Sequence, residues 1–350
     1  MFQLPRSLPR ALCALSLACA MSISPVLAHQ TQASSSQDAS SVQSAPAQST
    51  GNLDVTQTSH YLRYAPLLLE RGYSQQELEV LFTALPSYRI PVLVRQVYCS
   101  KAVEFTQQSH FRSTLLERYL KYAQAYPEYS AADVVTRVNI GLDRKWYSSV
   151  RQICHPEAID VLVYKYNALS PTYKPELVAM SSWYANRNAY LHPEAYEWFV
   201  KMVNDARADG LKLYCVSAYR SYSYQSSLYQ RYVNQDGSDL ADTYSARPGY
   251  SEHQTGLAVD INTASTSAHF EDTAQYRWLV ENSWKYGFIL RYPQGKEDIT
   301  GFQFEPWHYR YVGQELAKAL YESGLTYEEY LAGAPAQTPE QPASAQQLSS

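Results

Sequence analysis

Ser251-Glu252-His253-Gln254-Thr255-Gly256-Leu257-Ala258-Val259-Asp260 puts a histidine in a loop and an aspartate at the inner end of an apolar run. Further along, Glu305-Pro306-Trp307-His308 brings a second histidine and a carboxylate together. Two imidazoles and one carboxylate make a three-ligand set for zinc. The fourth tetrahedral position then stays open for water, as a catalytic site requires and a structural one does not. Glu305 would be the general base that takes the proton from that water, with Glu252, beside His253, the next carboxylate to consider. Of the remaining histidines, His29 lies in a polar tether, while His60, His110, His155, His192 and His269 each stand alone. Spacing by itself leaves a second reading open, in which the histidines are satisfied core residues and Asp260 is a buried carboxylate paired with an arginine.

The elements that must position these groups follow from periodicity and punctuation. LKLYCVS (211–217), LAVDI (257–261), FILRY (288–292) and FEPWHYRYV (304–312) read as strands. His192-Pro193-Glu194 opens a helix with apolar positions at 195, 199, 202, 203 and 206, ended by Gly210. A helix over 223–234 and a polar loop over 235–252 follow; Asp272 caps a helix that carries Trp278 and Trp284 and stops at Gly287, and a last helix near 314–322 stops at Gly324. Helices on one side of a small, mainly antiparallel sheet define an α+β fold. On a regular strand, residues 305 and 308 face opposite ways. Both reach one metal only if the chain turns or bulges at Pro306-Trp307, and a proline inside a strand is itself such a signal. Upstream, residues 57–140 read as helical. Ser74 with Glu77 forms a capping box before an apolar-periodic run, and Ser130 with Asp133 opens a short helix that stops near Gly141. Residues 141–184, with Pro171 and Pro175, read as a connecting arm, and 185–332 as the catalytic domain.

SEHQTGLAVD fits the SxHxxGxAxD pattern, and EPWH the ExxH pattern, of the VanY-like zinc D-alanyl-D-alanine carboxypeptidases. These belong to the LAS metallopeptidases, which share their fold with the Hedgehog signalling domain. SAYRSYSYQ (217–225) resembles that family's SxYRS segment, and DTYSARPGYSEHQTG its approach to the first ligand. The similarity is strong over 185–322 and weaker through 134–143 and 165–178; residues 57–125 match no motif. The resemblance implies that His253, Asp260 and His308 are zinc ligands, Glu305 the catalytic base and Arg220 the cation that stabilises the oxyanion. It also places Ser251 and Gln225 where the family holds the terminal portion of its substrate, and Arg247, which fits the family string, as a residue that could bind a substrate carboxylate bidentately. Arg247 has an alternative role in ordering the 235–252 loop, and Trp307 is expected to pack beside the metal. The implied substrate is the acyl-D-Ala-D-Ala end of a peptidoglycan stem peptide. The motifs report on the metal rather than the pocket, so L,D-carboxypeptidase or endopeptidase action on the same stem peptides stays open. So does a non-catalytic wall-binding module, against which stands the joint presence of base, ligands and Arg220.

Composition is consistent with this. The 350 residues carry 29 basic and 33 acidic side chains, a net charge of −4, which argues against a nucleic-acid clamp. Tyrosine, at 32 residues, suits a wet surface that meets sugars or peptides. No SxxK, HExxH, GxxxxGK[ST] or GxGxxG occurs, which removes serine-acylating, thermolysin-type and nucleotide-cofactor chemistry. Arg6 and Arg10 precede an apolar run that exits through Val26-Leu27-Ala28, so residues 1–28 read as a secretory signal and the protein as exported, to the cell envelope or beyond. A membrane tether would follow only if that signal stayed uncleaved. Residues 29–56 and 333–350 lack the apolar content to fold. Cys99, Cys154 and Cys215 remain after the signal, compatible with one disulfide and a thiol or with three thiols.

Overall fold

The computed structural model describes residues 55–334. The expected signal and most of the two polar tails lie outside the described residues.

Six helices come first: α1 (Val55–Glu70), α2 (Gln75–Ala84), α3 (Ile90–Arg95), α4 (Ala102–Gln107), α5 (Leu116–Ala125) and α6 (Ala131–Ile140). Both expected capping boxes form. Ser74 and Glu77 cap α2, Ser130 and Asp133 cap α6, and Gly141, at φ +108°, ends α6 in the left-handed region. The apolar stripes that these caps phase enclose a core of their own, including Leu78, Leu81, Phe82, Leu93, Phe105, Leu116, Leu120, Val134 and Val138.

The connecting segment is more ordered than an extended arm. β1 (Arg151–Gln152) pairs in parallel with β2 (Asn167–Ala168), and β3 (Val178–Ala179) pairs antiparallel with β4 (Tyr190–Leu191). Then come α7 (Pro193–Ala208), β5 (Tyr214–Ser217), α8 (Tyr222–Asp236), α9 (Ser238–Ala241), β6 (Ala258–Asn262), α10 (Ala274–Asn282), β7 (Phe288–Leu290), α11 (Glu297–Thr300), β8 (His308–Tyr311), α12 (Gln314–Ser323) and α13 (Tyr327–Ala332). The central sheet has the order β5-β6-β8-β7 with every neighbour antiparallel. Against it α7 buries Ala195, Phe199, Met202, Val203 and Ala206, its predicted stripe, on Cys215, Val259, Ile261, Tyr309 and Tyr311. Each large side chain so buried contributes about 1.5–3 kcal/mol, which fixes the sheet's rear face. The architecture is α+β.

Two local expectations change. Thr273, not Asp272, caps α10: its hydroxyl accepts from the Tyr276 N–H at 3.1 Å, and the segment carrying Trp284 is a 3-10 turn. The last sheet strand begins only at His308, because a turn precedes it, with the His308 N–H donating to the Glu305 carbonyl at 3.2 Å. Glu305 and His308 are therefore joined by a turn, and the alternation rule for strands does not separate them.

Candidate active site

Three strands meet in register at the site. Ser217 of β5 faces Asp260 of β6, and Asp260 faces His308 of β8. Directly opposed residues hold their Cβ atoms about 4.5–5.5 Å apart, so the sheet alone brings Asp260 and His308 together. A β-bulge between Cys215 and Ser217 re-aims the end of β5. His253 arrives from a different element, the 3-10 turn Glu252–Thr255, closed by Gly256 at φ +71°. Two bonds dock that turn on the segment after β5. The His253 Nδ1–H donates to the Ala218 carbonyl at 2.6 Å, and the Arg220 N–H donates to the His253 carbonyl at 3.1 Å.

These bonds assign the free nitrogens. With Nδ1 of His253 occupied, its Nε2 points inward, 3.4 Å from Asp260 Oδ1. His308 is reversed: its Nε2–H faces Glu252 Oε2 at 3.3 Å, leaving Nδ1 at 3.0 Å from the same Asp260 oxygen. One ligand atom from each of the three residues lies within 4.8 Å of the others, and all three residues are buried. The other Asp260 oxygen, Oδ2, accepts from Arg220 Nη2 at 2.6 Å, and Arg220 Nε donates to Ser217 Oγ at 3.1 Å. Buried polar atoms ordinarily have partners. Here both oxygens of Glu305 and Arg220 Nη1 are buried without a hydrogen bond, and His253 Nε2 has only its 3.4 Å approach to Asp260. This set of one imidazole nitrogen, a carboxylate and a guanidinium nitrogen around a His-Asp-His cluster fits a divalent cation with a reacting group beside it.

The charge states agree. Burial would raise the Asp260 carboxyl, but His253 and Arg220 outweigh it and hold it well below the usual range. Burial, then Arg220, hold His253 down at about 4, so its imidazole is neutral and able to ligate. Burial, seconded by the Asp260 charge, pushes Glu305 well above the ordinary carboxyl range. A bound dication would counter that shift.

Glu252 is not a free carboxylate. Besides His308 it accepts from Arg291 Nε and Arg310 Nη1, each at 3.0 Å, and those arginines hold it ionised against its burial. That occupation removes it as an alternative base. Ser251 and Gln225 are fully buried; they approach each other at 3.5 Å, and Gln225 Nε2 donates to the Ala246 carbonyl at 2.9 Å, tying α8 to the loop. Arg247 forks onto Asp242 at 3.0 and 2.7 Å and stacks over Tyr147 at 4.1 Å, contacts that order the loop. The open cleft at the site is lined instead by residues such as Arg187, Arg220, Tyr224, Tyr232, Asp260 and Trp307. Arg291, Arg310 and Arg187 escaped sequence reading. The first two left a signal, a single arginine inside each of two strand runs rich in apolar and aromatic residues, which when buried must find a carboxylate.

Known proteins carry the same pattern. Residues 188–314 match the family model described as VanY, D-alanyl-D-alanine carboxypeptidase. The chain is 40% identical over 197 residues to the putative carboxypeptidase YodJ of Bacillus subtilis, covering 54% of this chain and 72% of that protein. It is 40% identical over 145 residues to a D-alanyl-D-alanine carboxypeptidase of Enterococcus faecium, covering 41% of this chain and 45% of that relative. Among solved structures, that of the LdcB LD-carboxypeptidase is 39% identical with a TM-score of 0.50, over 53% of this chain and 92% of the other. His253, Asp260, Glu305 and His308 all fall inside the matched stretch. On this likeness the chain is an enzyme of the carboxypeptidase type and belongs to the VanY D-alanyl-D-alanine carboxypeptidase family.

Proposed function

We propose that this protein is an exported, zinc-dependent D-alanyl-D-alanine carboxypeptidase that removes the terminal D-Ala of peptidoglycan stem peptides. The observation that carries the reading is the convergence of His253 Nε2 and His308 Nδ1 on one Asp260 oxygen, at 3.4 and 3.0 Å, beside a buried Glu305 carboxylate without a hydrogen-bonding partner. His253, Asp260 and His308 would hold the zinc, which when bound supplies Lewis acidity to the scissile carbonyl and the attacking water. Glu305 takes the proton from that water and returns it to the leaving amine. Arg220 does two things: Nη2 fixes Asp260, and the unpartnered Nη1 is available to the oxyanion that develops on the carbonyl.

Removal of D-Ala from a diamino acid, the L,D reaction, is the second reading, supported by the likeness to the LdcB LD-carboxypeptidase. Mass spectrometry of the purified enzyme on penta- and tetrapeptide stems, before and after chelation, separates the two. Zinc-dependent conversion of penta- to tetrapeptide supports the proposal. Conversion of tetra- to tripeptide alone overturns it in favour of the second reading, and turnover unaffected by complete metal removal sinks both. Export rests on the first 28 residues, and N-terminal sequencing of the protein from the cell envelope or medium tests it, with a start at or just after His29 expected.

A further inference from the structure

Behind His308 lies a buried charge network that the proposed chemistry does not use. Glu252 accepts from His308 on one oxygen, and from Arg291 and Arg310 on the other. The two terminal nitrogens of Arg291 fork onto Glu328 at 2.9 and 2.8 Å, and Arg310 Nη2 donates to the carbonyls of Ile159 and Val161 at 2.8 and 2.7 Å. The side chains of Glu252, Arg291, Arg310 and Glu328 are all fully buried. Two cations and two anions thus close a neutral set. Buried ion pairs are a poor source of stability compared with apolar packing, so their presence asks for another reason. Here the network terminates on a ligand. Glu252 fixes the His308 ring with Nε2 protonated, which leaves Nδ1 as the lone-pair nitrogen facing Asp260. The far end sits on α13, outside the stretch that matches the family model. Helix α13 in turn packs on α6, where Asn139 Nδ2 donates to the Ala332 carbonyl at 3.0 Å.

We propose that Glu328 is a positioning residue for the metal ligand His308, acting through Arg291 and Glu252, so that helix α13 is part of the support of the metal site. The inference rests on the zinc reading. Without Glu328, Arg291 would be left with Glu252 as its one carboxylate and would draw that group's charge away from the His308 N–H.

The test measures zinc affinity by chelator competition, the visible spectrum of the Co²⁺-loaded protein and the thermal midpoint of the metal-free protein. The variants are E328Q and a control on the same helix, E329Q. Glu329 pairs with Lys296 at 2.9 Å and closes the Thr326 capping box, but does not touch the network. E328Q should weaken zinc binding by about 10–100-fold, as loss of an outer-shell partner typically does, and shift the Co²⁺ spectrum. E329Q should lower the midpoint while leaving both metal readouts at wild type. Wild-type affinity and spectrum in E328Q would overturn the proposal, as would an equal loss of affinity in E329Q, which would mark the effect as general loosening of α13. Should E328Q not fold, E328D keeps the charge, withdraws it by one methylene and is judged by the same readouts. Failure of wild-type protein to bind zinc is a separate result, which overturns the zinc reading and the proposal with it.

Discussion

Glu305 and Arg220 differ in what their removal exposes. The carboxylate of Glu305 has no hydrogen-bonding partner, and its backbone lies in a turn rather than on the strand that carries His308. Glu305→Gln should therefore retain about one equivalent of zinc and lose 10²–10⁴-fold in turnover, the usual cost of removing a general base, measured by metal analysis and steady-state kinetics. A metal-free Glu305→Gln would make Glu305 a ligand. Arg220→Ala removes the cation proposed to meet the developing oxyanion and also strips Asp260 Oδ2 of its partner. It should lower kcat by roughly 10²–10³-fold and, in addition, loosen zinc, so metal affinity distinguishes the two variants. His253→Ala should lose both zinc and activity. The cysteines give a fourth residue-level expectation. All three described cysteines are free thiols; Cys154 is exposed, while Cys215 is buried and burial pushes its thiol far up. The thiolate is the reactive form, so alkylation followed by mass spectrometry should modify Cys154 in the folded protein and Cys215 only after denaturation.

At the scale of elements, the 3-10 turn that carries His253 depends on Gly256. Its φ of +71° is in the left-handed region, and a Cβ there would lie 2.8 Å from Leu177 Cδ2 and 3.1 Å from the backbone nitrogen of His192. The Leu177 side chain can move, but the His192 N–H already donates to the Gly256 carbonyl at 2.8 Å and cannot easily retreat. Gly256→Ala should cost about 1–2 kcal/mol for the backbone conformation alone, plus the displacement of the turn. A lower thermal midpoint together with weaker zinc binding is the expected outcome. Unchanged zinc affinity would show that the turn tolerates the shift.

Across the whole molecule, the helical N-terminal region and the catalytic sheet are joined through α6 and α13. Asn139 is the clearest link. Its Oδ1 accepts from the Tyr119 hydroxyl at 2.6 Å, while Nδ2 donates to the carbonyls of His110 and Ala332 at 2.9 and 3.0 Å. Arg137 and Asp298 form a second, more exposed contact across the same boundary. Asn139→Ala leaves buried groups without partners, at about 1–3 kcal/mol each. Urea unfolding should show a clearly lower midpoint, and a separate early transition would reveal the two regions unfolding apart. An unchanged midpoint would mean that water replaces the lost bonds.

Local order determined much of this protein. The capping boxes at Ser74 and Ser130, the apolar stripe of α7 and the glycine stops at Gly141 and Gly324 were all legible, because each depends on residue type and spacing over a few positions, while His253, Asp260, Glu305 and His308 were marked as candidates by the two motifs that carry them. The fold class followed from the order of helices and strands. Tertiary structure decided what no local pattern contains. The register of β6 on β8 sets Asp260 opposite His308, and the chain takes the turn at Pro306-Trp307 that the sequence allowed but could not impose. The choice of Nε2 on His253 and Nδ1 on His308 comes from partners 35 and 56 positions away, Ala218 and Glu252. The same holds for Glu252, a carboxylate beside a ligand that could pass for a base until Arg291, Arg310 and His308 close around it. A buried charge must be matched wherever the chain can bring its counter-charge. That match is a property of the packed molecule, and neither of its halves carries a local mark of the other.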